Sequence, residues 1–257
     1  MIKYVIFFSF IFLHLQLFAQ EENNKEYVRS QYKATRLSNG HSTLTIPRNT
    51  LEFIVSHRFG YINSGYQDLF GLDNSANIRL GLQYGITDDI NIGLGRSRFL
   101  RAHDFFVKYR FIKQAENGLP FTATLHLNWQ FNGNEWTDEE KEMLETAHRF
   151  TYTSQLLLGS QFLEIINLQV MPTYIHRNLV EDPSFNNEVI ALGVGGRIKL
   201  KRTIFLTFEY YHQIDRPEGF YNPVSFGVDF ESFSHVFALH FTNTQGMIAK
   251  DFIDTPN

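Results

Sequence analysis

The chain has 257 residues and no cysteine. That absence excludes a disulfide scaffold, a thiolate metal site, a cysteine nucleophile and an N-terminal lipoprotein anchor. A basic surplus is also missing, since 23 Lys and Arg stand against 27 Asp and Glu for a formal charge of −4. A general nucleic-acid binder would carry a basic field, so no nucleic-acid partner is expected. Beyond residue 20 there is no long apolar run, which excludes a helical membrane protein. No HExxH or other compact ligand spacing occurs, so neither metal nor cofactor is expected. Aromatic residues, by contrast, are abundant: 26 Phe, 12 Tyr and 2 Trp.

Residues 1–20 read MIKYVIFFSFIFLHLQLFAQ. Lys3 gives a positive start, residues 4–13 an apolar core broken only by Ser9, and Ala19 a small residue at a cleavage point. This is the pattern of a secretory signal peptide. His14 and Gln16 cut the apolar run well below the ~20 residues of a spanning helix. The chain is expected to divide into a leader at 1–19, a polar segment at 20–49 and a barrel domain at 50–257. A short strand at 41–46 is an option within the polar segment.

From residue 51 the sequence alternates. Leu51, Phe53, Val55, His57 and Phe59 interleave with Glu52, Ile54, Ser56 and Arg58. In 121–131, Phe121, Ala123, Leu125, Leu127, Trp129 and Phe131 interleave with Thr122, Thr124, His126, Asn128 and Gln130. The same period recurs near 78–86, 90–94, 105–111, 150–161, 165–176, 189–200, 204–212, 224–231 and 235–242. Period two marks strands with one apolar and one polar face. Many of these segments approach the ~9–11 residues of a tilted membrane strand, longer than sandwich strands of about five or six. Helical spacing appears once, at 137–148, where Thr137 and Glu140 fit a capping box. The fold class is therefore all-β, an antiparallel up-and-down transmembrane barrel.

Connections alternate in length. Short ones lie at 87–89, 112–120, 161–164, 200–203 and 231–234, and longer ones between them. Outer-membrane barrels place short turns in the periplasm and long loops outside. Eleven strands are readable, and an even number is expected when both ends of the barrel lie in the periplasm. Residues 243–257 are then expected as an outer loop, with the chain stopping one strand early.

The run from LEFIVSHRFG at 51–60 through LFGLDNSANIRLGLQYGITDDINIGLGRSR at 69–98 to VKYRFIKQ at 107–114 is the most distinctive part. It resembles an uncharacterised family of outer-membrane β-barrel proteins, a domain of unknown function. The resemblance implies a signal-bearing barrel of about twelve strands, with an aromatic-rich final strand that the barrel assembly machinery recognises. It implies no activity and no catalytic residue. Outer-membrane lipid and that assembly machinery are the expected partners.

Charges recurring on the polar strand faces are expected to line a wet, porin-like lumen. These are Arg58, Arg79, Lys108 and Arg110 on the first four strands, His126 on the fifth, and Glu209, Asp229 and Glu231 on the ninth and tenth. They are expected either to pair across a filled interior or to form basic and acidic walls of a narrow pore for small polar solutes. A closed barrel presenting loops to an envelope partner is the alternative, and a barrel-embedded hydrolase the third reading. Barrel lipases set a His and a Ser two residues apart on one strand face, and no His here is followed so. Asp68, Asp73, His103 and Asp104 are the acids and histidine expected in outer loops, where a barrel protease would hold its site. The glycines of GLGRS at 93–97 and GVGG at 193–196 fall inside strand patterns, so no phosphate loop is expected there.

Overall fold

A computed structural model describes residues 26–28, 33–180, 182 and 185–254. The expected leader at 1–19 lies outside the described residues. Eleven strands form one sheet in sequence order, every neighbouring pair antiparallel. They are β1 (Leu51–Arg58), β2 (Asn77–Gly85), β3 (Ile90–Ser97), β4 (His103–Ile112), β5 (Thr122–Phe131) and β6 (Phe150–Phe162). The series continues with β7 (Ile166–Arg177), β8 (Glu188–Lys201), β9 (Ile204–Ile214), β10 (Val224–Glu231) and β11 (Val236–Thr242). The connections at one end of the strands are generally shorter than those at the other, although the β4–β5 connection at 113–121 is longer than the β3–β4 connection at 98–102.

Register follows the alternation. Leu82 of β2 lies opposite Phe53 and Leu94, while Gln83 lies opposite Glu52 and Gly93. A one-residue slip would exchange the two faces, so the pattern fixes the pairing. Burial is inverted relative to a water-soluble fold. Phe53, Leu94 and Phe226 are 63%, 59% and 60% exposed on the outer face, whereas Arg79, Asn91 and Lys108 are 1%, 0% and 0% exposed inside. Membrane barrels have this apolar exterior and polar interior. Among the described residues no helix is long and apolar enough to cross a membrane.

β1 and β11 end the strand order and run in the same direction. They cannot form an antiparallel ladder with each other, and the sheet stays open along that seam. Helix α1 (Asp138–Met143) sits in the loop before β6, closed by the Thr137–Glu140 capping box. A second short helix, α2 (Ala249–Ile253), follows β11.

Three local expectations need correction. Residues 41–46 form no strand of the sheet but run through the interior. Residues 243–254 start at the long-loop end yet fold inward, where Met247, Phe252 and Ile253 are buried. His103 and Asp104 belong to β4, not to an outer loop, and the register sets Asp104 opposite Gln130 on the inner face.

Candidate functional site

Two pieces of the chain itself lie inside the barrel. Residues 33–46 make a hairpin whose tip is closed by Leu37 N–H donating to Gly40 O at 2.9 Å, with an Arg36–His41 bridge below it. The carboxylate of Glu209 accepts from the backbone N–H groups of Asn39 at 2.7 Å and Gly40 at 2.9 Å. Gly40 is required there, since a Cβ would lie 2.3 Å from Glu209 Oε1 and 2.4 Å from the Tyr211 hydroxyl.

The returning arm is gripped by side-chain amides of the wall. Gln169 accepts from Thr43 N–H at 2.8 Å and donates to His41 O at 2.8 Å. Asn91 accepts from Ile46 N–H at 2.8 Å and donates to Ile46 O at 3.1 Å. Lys108 Nζ donates to Ser42 O at 2.9 Å and to Leu44 O, and Thr124 Oγ1 donates to Thr43 O at 2.9 Å. A buried backbone needs partners for its N–H and C=O groups. Here wall side chains supply what a neighbouring strand would.

The first arm braces the open seam from inside. Thr35 Oγ1 donates to Glu52 of β1 at 2.6 Å. Asn39 accepts from Arg58 of β1 and donates to Ser225 of β10 at 2.8 Å and to Thr242 of β11 at 3.4 Å. Lys33 reaches Ser232 O in the β10–β11 turn at 3.1 Å.

Residues 243–254 occupy the other end. Phe252 packs on Tyr211, with ring centroids 5.4 Å apart, and joins an apolar cluster with Leu37, Leu157, Met171 and Ile175. Arg177 donates to Asp254 at 2.7 Å, Gln130 donates to Asp251 at 2.7 Å, and Arg36 of the hairpin donates to Met247 O at 3.3 Å. Burial pushes the Asp251 carboxyl from 3.8 up to about 6, against the attraction of Lys250 and the Gln130 bond. An acid with a raised folded value favours docking most below its unfolded value, and that contribution is lost as pH climbs through about 4 to 6. Asp251→Asn is therefore expected to tighten α2 at pH 7.5. Hydrogen exchange of the Phe252 and Asp254 amides should slow by up to about 100-fold relative to the parent at the same pH.

The remaining buried charges pair locally. Arg79 donates two bonds to Asp104 Oδ1, at 3.1 and 2.8 Å, and one to Oδ2 at 2.6 Å. Gly95 leaves room for this pair, because a Cβ there would meet Arg79 Nη2 at 2.3 Å. Arg197 lies 2.7 Å from Glu231 and 3.2 Å from Asp229, and its guanidinium sits over Phe205. Polar interior, apolar exterior and a β-meander thus occur together.

A family model described as "Membrane bound beta barrel domain (DUF5777)" matches residues 32–257. The chain belongs to this family. No curated protein and no solved structure matches it. The membrane-bound barrel domain accounts for the inverted burial, and hairpin and C-terminal segment both lie within its bounds.

Within this domain the residues read from sequence occupy different settings. Arg79, Lys108, His126, Glu209, Asp229 and Glu231 are buried inside. Arg58 is half-buried against Asn39. Arg110 lies at the short-turn end, 2.7 Å from Asp89, which also takes Lys113 at 2.8 Å. These two cations border a cavity of about 320 Å³ with Thr43, Gln161 and Asn167. The opposed basic and acidic walls are not what forms. Arg79 and Arg197 each find acids two strands away, while Lys108 and Glu209 are spent on the hairpin backbone. Sequence reasoning missed Arg197 and the hairpin, and placed Asp104 in an outer loop rather than inside. Arg197 shares the inner parity of Gly193 and Gly195, a signal that was there to find. Among the described residues no group of three His, Asp or Glu is placed to hold a metal ion.

Proposed function

We propose that the protein is an outer-membrane barrel, exported by a leader at 1–19, whose resting lumen is closed by its own hairpin and C-terminal segment. The observation that carries this reading is the grip of Gln169, Asn91, Lys108 and Thr124 on the hairpin backbone. A water-filled porin has no use for wall amides spaced to match a backbone. The barrel then works through its outer loops, which meet an envelope partner. The loop before β2 supports this, with Tyr61, Tyr66, Phe70 and Leu72 more than half exposed. Leu69 and Phe70 there hold φ of 45° and 55°, a left-handed backbone that bulky residues rarely adopt.

The test is conductance. The full chain, folded into a planar bilayer at pH 7.5, should give no stepwise current. Regular single-channel steps would overturn the closed reading. A second reading, a site for a small polar solute, is favoured by the cavity at the short-turn end, where Asp89 balances only one of two cations. Outer-membrane lipid surrounds the barrel in either reading, and the barrel assembly machinery inserts it.

A further inference from the structure

Two imidazoles face each other where hairpin meets wall. The His41 ring of the hairpin lies 4.1 Å, centroid to centroid, from the His126 ring of β5, tilted by 32°. Phe106 of β4 contacts both rings, at 4.7 and 5.5 Å. His126 Nδ1 is 3.1 Å from Gln155 Oε1 of β6. His41 Nδ1 and His126 Nε2 are buried with no hydrogen-bond partner among the described residues. No carboxylate bonds either ring. The charges bearing on the pair are cationic: Arg36 on the hairpin, Lys108 on β4 and Arg79 on β2. The nearby acids are engaged elsewhere, Asp104 with Arg79, Glu52 with Thr35 and Gln83, and Glu209 with the hairpin tip.

We propose that His41 and His126 form an acid-sensitive latch, and that protonation of the pair releases the hairpin from the lumen. A proton added at His41 Nδ1 or His126 Nε2 would face a second ring, three cations and no carboxylate. Released into water, the imidazole of His41 takes the proton without penalty. Burial holds the His41 imidazole well below its ordinary value of 6.5, and His126, Arg36, Lys108 and Arg79 push the same way. The sign follows. A base with a depressed docked value favours docking fully above its free value and loses that contribution as pH falls below it. From pH 7.5 to 5.0 the ratio of docked to free hairpin should fall about 30-fold for one such histidine. Asp251 has the opposite sign, so α2 stays seated while the hairpin leaves. The proposal rests on the reading that the hairpin closes the lumen in the membrane-inserted protein.

Because the chain has no cysteine, Ser42→Cys creates a single thiol at a fully buried, near-isosteric position. Its labelling by a water-soluble maleimide in liposomes is normalised to Ser232→Cys in the exposed β10–β11 turn. The expected result is protection at pH 7.5 and labelling at least about 10-fold faster at pH 5.0. His41→Phe should halve the acid response on a logarithmic scale while keeping the ring contact, and His41→Phe with His126→Phe should abolish it. Protection at pH 5.0, or an acid response that persists in the double variant, would overturn the latch. Should the double variant not insert, an undiminished response in His41→Phe alone would overturn it. Equal, fast labelling at both pH values would overturn the closed lumen itself, and the latch with it.

Discussion

Arg79→Ala is expected to lower the unfolding free energy of the barrel in lipid by about 3–5 kcal/mol. The arginine and its partner Asp104 are each 1% exposed, with a closest approach of 2.6 Å. Removing the guanidinium leaves a carboxylate on the inner face with only a long bond from Asn128, at 3.4 Å. Desolvation of that lone anion, more than loss of the pair itself, sets the size of the effect. Arg79→Met with Asp104→Leu should therefore recover most of the loss, because an apolar pair has no charge to desolvate. Equilibrium urea unfolding from liposomes measures both. A single variant within ~0.5 kcal/mol of the parent would mean that water reaches the pair freely.

A charge on the outer face should be nearly as harmful, for the opposite reason. Leu94→Arg is expected to cost about 2–4 kcal/mol in the same assay. Leu94 is 59% exposed at the middle of β3, between Leu82 and Phe105. On a water-facing surface that substitution would change stability by about 0.5 kcal/mol or less. In hydrocarbon the guanidinium has no solvent. A small effect would place the apolar face against water or protein, and the membrane reading would fall.

The strands were legible because alternation is local. Phe121 to Phe131 declares its two faces within eleven positions, and the burial of Thr124, His126, Asn128 and Gln130 follows the polar set. The α1 cap was legible for the same reason, since Thr137 and Glu140 are three residues apart. The hairpin was not. Residues 33–46 have no period, and their partners lie far along the chain, with Gln169 126 residues beyond Thr43. A polar stretch that borrows its hydrogen bonds from a distant wall reads as a linker. Residues 243–254 misled similarly, because Phe252 and Ile253 bury themselves against Tyr211 and Met171 rather than against neighbours in sequence. Asp104 was read as a loop acid because it stands beside His103 ahead of the Phe pair. Only the β4–β5 register reveals which way it points.

Gln169 and Asn91 touch main-chain atoms of the hairpin and are indifferent to what side chains those positions carry. Freedom to vary is therefore divided unequally between clasp and strap. The main-chain groups at 43 and 46 are there whatever side chain those positions carry, whereas a single change at either amide removes a donor and an acceptor together. Selection on this grip would be written in the wall amides, and in the enclosed segment only where a side chain or its absence is itself used, as at Thr35, Asn39 and Gly40.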